Sequence, residues 1–161
     1  MNRKPWGISL GIFAVVAIAA LCARPVCPAV KNMAVVTAAG NKLTEVTLAD
    51  LGKLCKGTQK VWPDGRTFTL IIHDPESAET KATLTKILGP NATDVKAAIA
   101  KLNETRPVIK LVASDGDLLK TVAATPGAIG ILDVYSINST VKVLRVDGKL
   151  PFDPGYALKA N

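Results

Sequence analysis

Short apolar runs alternate with amphipathic segments along most of this chain. The runs are rich in Val, Ile and Leu and predict strands at residues 33–36 (MAVV), 67–72 (TFTLII), 108–113 (VIKLVA), 128–132 (AIGIL) and 141–146 (VKVLRV). Between most of them, apolar residues recur at helical spacing. Strands that alternate with helices predict an α/β domain with a mixed, mostly parallel sheet of about five strands, flanked by helices.

Each predicted helix begins at a residue whose side-chain oxygen can accept a hydrogen bond from the first turn. Thr47, Ser77, Thr93 and Ser114 hold these positions. Glycine or proline follows the predicted helices, at Gly57, Gly89, Pro90, Pro126 and Gly127. The tail, residues 149–161, is rich in turn formers, and we expect it to pack on the domain through Phe152, Tyr156 and Leu158.

The first 23 residues differ from the rest of the chain. Arg3 and Lys4 precede an uncharged apolar run over residues 6–21, which ends in small residues. This pattern is typical of an export signal, and an uncleaved N-terminal anchor or a lipoprotein signal ending at Cys22 are alternatives. We therefore predict a signal peptide or anchor at 1–23, a linker at 24–33 and a folded domain at 34–148, in a periplasmic or secreted protein. The membrane would be contacted only through this signal or anchor.

The charge of the chain excludes some functions. The net charge is +7, and removing residues 1–23 takes away two of the 20 basic residues and none of the 13 acidic ones. The basic residues do not cluster beyond pairs and no aromatic residues interleave with them, so nucleic-acid binding is not predicted. Weak attraction to anionic ligands or surfaces is all that this charge supports.

Cysteine and histidine are scarce. Cys27 and Cys55 would remain after cleavage, and an oxidising compartment favours a disulfide between them, although Cys55 is equally suited to be a buried apolar residue at a helix end. His73 is the single histidine, so no transition-metal site or cofactor is predicted. The usual catalytic motifs are also missing, which favours a non-enzymatic protein.

The order of several motifs resembles a known family. Five motifs follow one another along the chain: LADLGKLCKG (48–57), KVWPDGRTF (60–68), SAETKATLTKILG (77–89), ATPGAIGILD (124–133) and VKVLRVDG (141–148). In this order and spacing they resemble small exported proteins related to the substrate-binding proteins of phosphate ABC transporters. The resemblance covers residues 34 to 148 and implies a single lobe of the periplasmic-binding-protein type, second structural class. Full transporter receptors close two lobes around the ligand.

The resemblance also implies where a ligand would bind, and the sequence departs from the family at that place. True phosphate binders have an arginine after the strand and a Ser-Gly-Thr triplet at the next helix start. Here His73 stands near the arginine position and Ser77, Ala78 and Glu79 occupy the triplet, so only the serine matches. Carboxylates at 74, 76 and 79 would repel phosphate from the helix N-terminus that otherwise favours an anion.

Two functional hypotheses follow. The first is a non-enzymatic binding or interaction module of the cell envelope with an eroded anion site, whose partner is an envelope protein. The second is a receptor for a small anion such as phosphate, sulfate or a carboxylate, which binds at the Ser77 helix N-terminus. It requires Ser77, Lys81 or Arg66 to outweigh the local acids. The oligomeric state is not predicted, and the candidate ligand-binding residues are Arg66, His73, Ser77, Ala78, Glu79, Thr80 and Ser114.

Overall fold

The computed structural model describes residues 31–89, 94–104 and 106–160. The predicted signal segment 1–23 and Cys27 lie outside these ranges. The described helices are α1 (Leu48–Cys55), α2 (Ala78–Leu88), α3 (Val95–Asn103) and α4 (Asp115–Ala124), with a 3-10 turn at Val134–Ser136. The described strands are β1 (Lys31–Ala38), β2 (Glu45–Val46), β3 (Thr69–His73), β4 (Ile109–Val112), β5 (Ala128–Asp133), β6 (Val141–Val143), β7 (Arg145–Val146) and β8 (Lys159–Ala160).

The main sheet has the strand order β4-β3-β5-β1-β6. Strand β3 is parallel to both β4 and β5, whereas β1 is antiparallel to β5 and β6. Strand β1 therefore runs against the other four strands of this order. The predicted class, a mixed and mostly parallel sheet flanked by helices, is confirmed. Strand β8 pairs with the start of β1, and β2 and β7 form a separate short parallel pair.

Apolar residues on both faces of the sheet are buried. On one face, Leu70 and Ile72 of β3 pack in a core with residues of α1, α2 and α3 and with Tyr156 of the tail. On the other face, Ile71 packs with Leu118 of α4. Because successive side chains of a strand point to opposite faces, one apolar run supplies both cores. This double burial explains why the strands are nearly continuous apolar runs.

Three of the four predicted helix caps are confirmed. The side chains of Thr47, Ser77 and Ser114 accept hydrogen bonds from the backbone N–H groups of residues 50, 80 and 117, respectively. The prediction of Thr93 as the fourth cap is wrong by one residue, and Thr93 itself lies outside the described residues. Asp94 caps α3, because its Oδ1 accepts the Ala97 N–H at 2.9 Å.

Some predicted boundaries need correction. Strand β1 begins at Lys31, two residues before the predicted strand start at Met33, so the end of the predicted linker 24–33 belongs to the strand; pairing with β8 extends it there. The predicted strand 141–146 divides into β6 and β7 at the buried Leu144. In the tail, Tyr156 and the neighbouring Leu158 are buried, but Phe152 is exposed and is not an anchor in the core.

Two of the family-like motifs, KVWPDGRTF and ATPGAIGILD, contact each other. The turn WPDGR closes with hydrogen bonds from the Trp62 N–H to the Arg66 oxygen and from the Gly65 N–H to the Trp62 oxygen, both at 2.9 Å. The Trp62 indole N–H donates to the oxygen of Gly127, in the motif PGAIG, at 2.8 Å. Gly127 has φ +81°, and a Cβ there would lie 2.4 Å from the Thr67 oxygen. Both motifs thus have a structural role, because they join the segments that precede β3 and β5.

Candidate functional site

A cavity of about 220 Å³ lies at the edge of the sheet where β3 and β5 end. Helix α2 begins at the same edge, and α4 contributes its first residue. The start of the antiparallel strand β1 completes the edge, because its direction is reversed. The residues that line the cavity are Lys31, Met33, His73, Asp74, Ser77, Glu79, Thr80, Asp115, Leu132 and Asp133. Four of the seven candidate residues, namely His73, Ser77, Glu79 and Thr80, therefore meet in one place.

The Ser77 hydroxyl is fully engaged in capping α2. Its Oγ accepts the Thr80 N–H at 3.2 Å and donates to the Thr80 Oγ1 at 2.9 Å. Thr80 is buried, and its hydroxyl also points at the backbone oxygen of His73, at 3.5 Å. Ser77 and Thr80 thus join the end of β3 to the start of α2. Ala78, the third candidate in this turn, is exposed and does not line the cavity.

His73 is paired with a carboxylate from another element. Its Nδ1 lies 3.3 Å from Asp115 Oδ1, and the other oxygen of Asp115 accepts a hydrogen bond from the Ser136 hydroxyl at 2.7 Å. Nothing in the sequence linked His73 to Asp115, so this pair was not predicted. The parallel pairing of β3 with β4 brings the end of β3 next to the start of α4, which follows β4. The His73–Asp115 contact could be predicted only if the strand order were known.

Glu79 is held by the first residue of β1. Its carboxylate lies 2.9 Å from the Lys31 ammonium group. This hydrogen bond, together with the backbone hydrogen bond at Glu79, holds the pKa of Glu79 below its ordinary value. The same contact raises the pKa of Lys31. Within the described part of the chain, Lys31 is the one lysine that lines the cavity, and its charge is matched by Glu79.

Carboxylates dominate the lining of the cavity. Asp74, Glu79, Asp115 and Asp133 face Lys31 and His73. Asp74 adopts a left-handed backbone conformation with φ 42°, and its Oδ1 accepts the Glu76 N–H at 3.2 Å. Acidic residues therefore cluster at this helix start, as predicted, but they are not the same set of residues as in the prediction.

Glu76 was predicted to belong to this acidic cluster but does not line the cavity. Its carboxylate lies 2.9 Å from the Lys81 ammonium group and lines a neighbouring depression instead. Asp115 and Asp133, which the sequence reasoning did not include, take its place in the cavity. They come from the first residue of α4 and the last residue of β5, which the strand order brings beside the start of α2.

Besides Ala78, two candidate residues lie outside the cavity. Arg66 precedes β3, at the opposite end of that strand from Ser77, and its guanidinium binds the Asp64 carboxylate and the Asn41 side chain. Ser114 caps α4 and its hydroxyl donates to Asp117, so it does not line the cavity either. The expectation that Arg66 could help to hold an anion at Ser77 is wrong, because the length of β3 separates them.

The cysteine prediction is untested. Cys55 is buried at the end of α1, where burial raises the pKa of its thiol to about 12. Its predicted partner Cys27 is outside the described residues, so the disulfide stays a prediction. Among residues 31–89, 94–104 and 106–160, no group of three His, Cys, Asp or Glu side chains is placed to hold a metal ion. Every helix in those ranges is too short or too polar to cross a membrane.

The strand-end geometry can be compared with known proteins. No family model matches the sequence. Over 79 residues the chain is 32% identical to the phosphate-binding protein PstS 2 of Streptococcus agalactiae, and this alignment covers 49% of the chain and 26% of that protein. The fold is similar to an ABC-type phosphate transport receptor from Vibrio cholerae, with a TM-score of 0.63 and 16% identity, covering 81% of this chain and 54% of that one.

PstS from Borrelia burgdorferi gives a TM-score of 0.64 at 19% identity, covering 82% of this chain and 55% of that one. The chain is related to the substrate-binding proteins of phosphate transporters. The resemblance inferred from the motifs is thereby confirmed, together with the periplasmic-binding-protein-like fold. The chain spans about half the length of these two receptors.

Proposed function

We propose that this relative of the phosphate receptors is a non-enzymatic binding module of the cell envelope, periplasmic or secreted, whose strand-end cavity does not hold phosphate. The observation that carries the proposal is the charge of that cavity: of the residues that the structure describes, four carboxylates and one lysine line it, and the lysine is itself paired with Glu79. The leader-like residues 1–23 support an envelope location, and the relation to transport receptors supports binding rather than catalysis.

The energies favour exclusion of phosphate. Two like charges about 4 Å apart repel by roughly 1 to 4 kcal/mol, depending on the effective dielectric. A helix N-terminus contributes about 0.3 to 2 kcal/mol toward an anion. In this cavity the Thr80 N–H at the N-terminus of α2 already donates to Ser77, and Glu79 stands in the same turn. Repulsion from Asp74 and Asp133, the two lining carboxylates without an ion-pair partner within the described residues, therefore matches or exceeds the attraction that the helix offers.

The contacts of the cavity also argue against catalysis. A nucleophilic serine needs a base within hydrogen-bond reach of its hydroxyl. The Ser77 hydroxyl donates to Thr80, and no side-chain hydrogen bond within the described residues joins it to His73. Asp115 can orient the His73 ring, but Ser77 is not paired with this base, which supports a binding role.

The test is calorimetric titration of the full chain with phosphate, sulfate and acetate at low salt. We expect no saturable heat from any of them, in the wild type or in Lys31→Gln. Saturable phosphate binding at micromolar strength, lost in Lys31→Gln, would overturn the proposal. Lys53→Gln is the matched control, because it removes an exposed lysine that pairs with Asp50 and lies outside the cavity.

A second candidate function is a small-anion receptor at the N-terminus of the Ser77 helix. The observation in its favour is the Lys31 ammonium group, which lines the cavity together with Ser77, as in a mixed-charge anion site. Proteins related to this chain are named for phosphate binding. In that case Ser77→Ala and Lys31→Gln would both weaken anion binding, whereas Arg66→Gln, at the opposite end of β3, would not.

A further inference from the structure

Two aromatic side chains that touch each other are exposed beside the cavity. The Tyr135 side chain belongs to the 3-10 turn after β5, and Phe152 belongs to the tail. Their ring centroids lie 6.3 Å apart, and the residues are 84% and 59% exposed, respectively. The other aromatic residues of the described ranges, Trp62, Phe68 and Tyr156, are buried. A solvent-exposed aromatic pair has no role in the core, and such pairs are enriched where proteins bind partners.

The turn that carries Tyr135 is hydrogen-bonded to the cavity on both sides. The Tyr135 N–H donates to Asp133 Oδ1 at 3.0 Å, and the adjacent Ser136 hydroxyl donates to Asp115 Oδ2 at 2.7 Å. Both carboxylates line the cavity. The aromatic pair and the acidic cavity are therefore parts of one continuous surface, and the carboxylates hold the turn that presents the ring.

We propose that this surface, formed by Tyr135, Phe152 and the carboxylates of the cavity, docks a basic and apolar segment of a protein partner. The inference rests on the proposed function, since it names the chemistry of the partner of that binding module. The aromatic rings supply apolar contact area. Asp74 and Asp133, which have no ion-pair partner within the described residues, select for Lys or Arg on the partner.

A second copy of this chain fits the surface less well. Two aromatic rings supply about 150 to 250 Å² each, whereas a stable interface buries about 800 Å² on each partner. The rest of such an interface would have to come from the surroundings of the rings. In a twofold dimer the acidic cavity of one copy would lie close to that of the other, and the like charges would repel. Charge complementarity thus favours a basic partner.

The test uses two peptides of matched length, acetyl-Lys-Leu-Lys-Leu-Lys-amide and acetyl-Glu-Leu-Glu-Leu-Glu-amide. Each is titrated at low salt into the ¹⁵N-labelled full chain, and the amide resonances of residues 133–136, 150, 152 and 153 are followed. We expect the lysine peptide to shift these resonances saturably and the glutamate peptide to leave them unchanged. The double variant Tyr135→Ala with Phe152→Ala should weaken binding about tenfold or more.

Two further variants separate the aromatic and the electrostatic contributions. Asp133→Asn keeps an oxygen for the Tyr135 N–H and removes the charge, so it should weaken binding of the lysine peptide and reduce the dependence of this binding on salt. Val61→Ala is the matched control, because Val61 is also an exposed apolar residue and lies outside this surface. It should bind the peptide as the wild type does.

Several results would overturn the docking surface. These are equal binding of the two peptides, shifts confined to other parts of the chain, or unchanged affinity in the aromatic double variant. A wild-type dimer in sedimentation that becomes monomeric in that variant would assign the rings to self-association instead. Phosphate binding in the cavity together with intact peptide binding at the rings would refute only the proposed function, and the two failures are therefore distinguishable.

Discussion

The Lys31 ammonium group lies 2.9 Å from the Glu79 carboxylate and ties the first residue of β1 to the first turn of α2. The two residues are 48 positions apart in the chain, and Lys31 reaches Glu79 because β1 runs against its neighbours and begins where β3 ends. The contact removes the lysine of the cavity from the set of groups that could attract an anion. It also makes the pair sensitive to pH.

Stability should fall as acid protonates Glu79. Its pKa is lower in the folded protein than its ordinary value, so its contribution is complete above the ordinary value and is lost as pH falls through the lowered one. We expect Lys31→Gln to raise the pKa of Glu79 and to lose less unfolding free energy than the wild type between about pH 5 and about pH 3. Carboxyl NMR titration and urea unfolding measure the two effects. In the control Lys53→Gln the pKa of Glu79 should not change, and an unchanged value in Lys31→Gln would contradict the pairing.

Removal of the α2 cap should destabilise the domain. Ser77→Ala deletes the acceptor for the Thr80 N–H, and loss of such a cap costs about 0.5 to 2 kcal/mol. Urea unfolding followed by circular dichroism measures the difference. Ser139→Ala, at an exposed turn, is the matched control and should stay within about 0.5 kcal/mol of the wild type. Equal stability of the two variants would show that the cap contributes nothing.

Gly130 should tolerate no side chain. It lies in β5 beneath α4, where a Cβ would meet Leu118 Cδ2 at 2.5 Å and Val122 Cγ2 at 2.9 Å. Gly130→Ala therefore overpacks this layer, and we expect a loss of about 1 to 3 kcal/mol of unfolding free energy. Gly40→Ala is the matched control, because a Cβ there meets nothing within 4 Å. If both variants have the wild-type thermal midpoint, the close packing of α4 on β5 is wrong.

The indole N–H of Trp62 should contribute to the stability of the domain. Trp62→Phe keeps an aromatic ring beside Phe68 and leaves the Gly127 oxygen without its donor at 2.8 Å. An unsatisfied buried acceptor costs about 1 to 3 kcal/mol, which guanidinium unfolding detects. Phe152→Leu, at an exposed aromatic position, should change stability by less than about 0.5 kcal/mol. A neutral Trp62→Phe would mean that the link between the two motifs is not energetically important.

Removing the two carboxylates of the cavity that have no ion-pair partner within the described residues should create affinity for phosphate. Asp74→Asn combined with Asp133→Asn removes two carboxylates while keeping oxygens for the Glu76 and Tyr135 N–H groups. Asparagine also tolerates the left-handed backbone at position 74. We expect saturable phosphate binding in this double variant and none in the wild type, measured by calorimetry at low salt. Asp64→Asn with Asp153→Asn, a pair outside the cavity, should not gain binding; a gain there would show a general charge effect.

Local features of this fold could be predicted from sequence because each depends on neighbouring residues. The caps at Thr47, Ser77 and Ser114 and the turn around Gly65 need only a side-chain oxygen or a residue that accepts positive φ at one position. The alternation of apolar runs with amphipathic segments gave the class of fold in the same way. The acidic character of the Ser77 turn was also visible, because Asp74, Glu76 and Glu79 lie within a few residues of one another.

The composition of the cavity could not be predicted in this way. Asp115 follows β4, Asp133 ends β5, and Lys31 lies in the segment that was predicted to be a linker. They meet because β1 lies between β5 and β6 and runs against them, and because β3 lies between β4 and β5. That order depends on the packing of buried faces, which are almost equally apolar in every strand. The sequence by itself determined the elements, their caps and the acidic character of one turn. Only the tertiary structure decided which strand ends meet and which charges pair, since contacts between distant residues follow from the order of the strands.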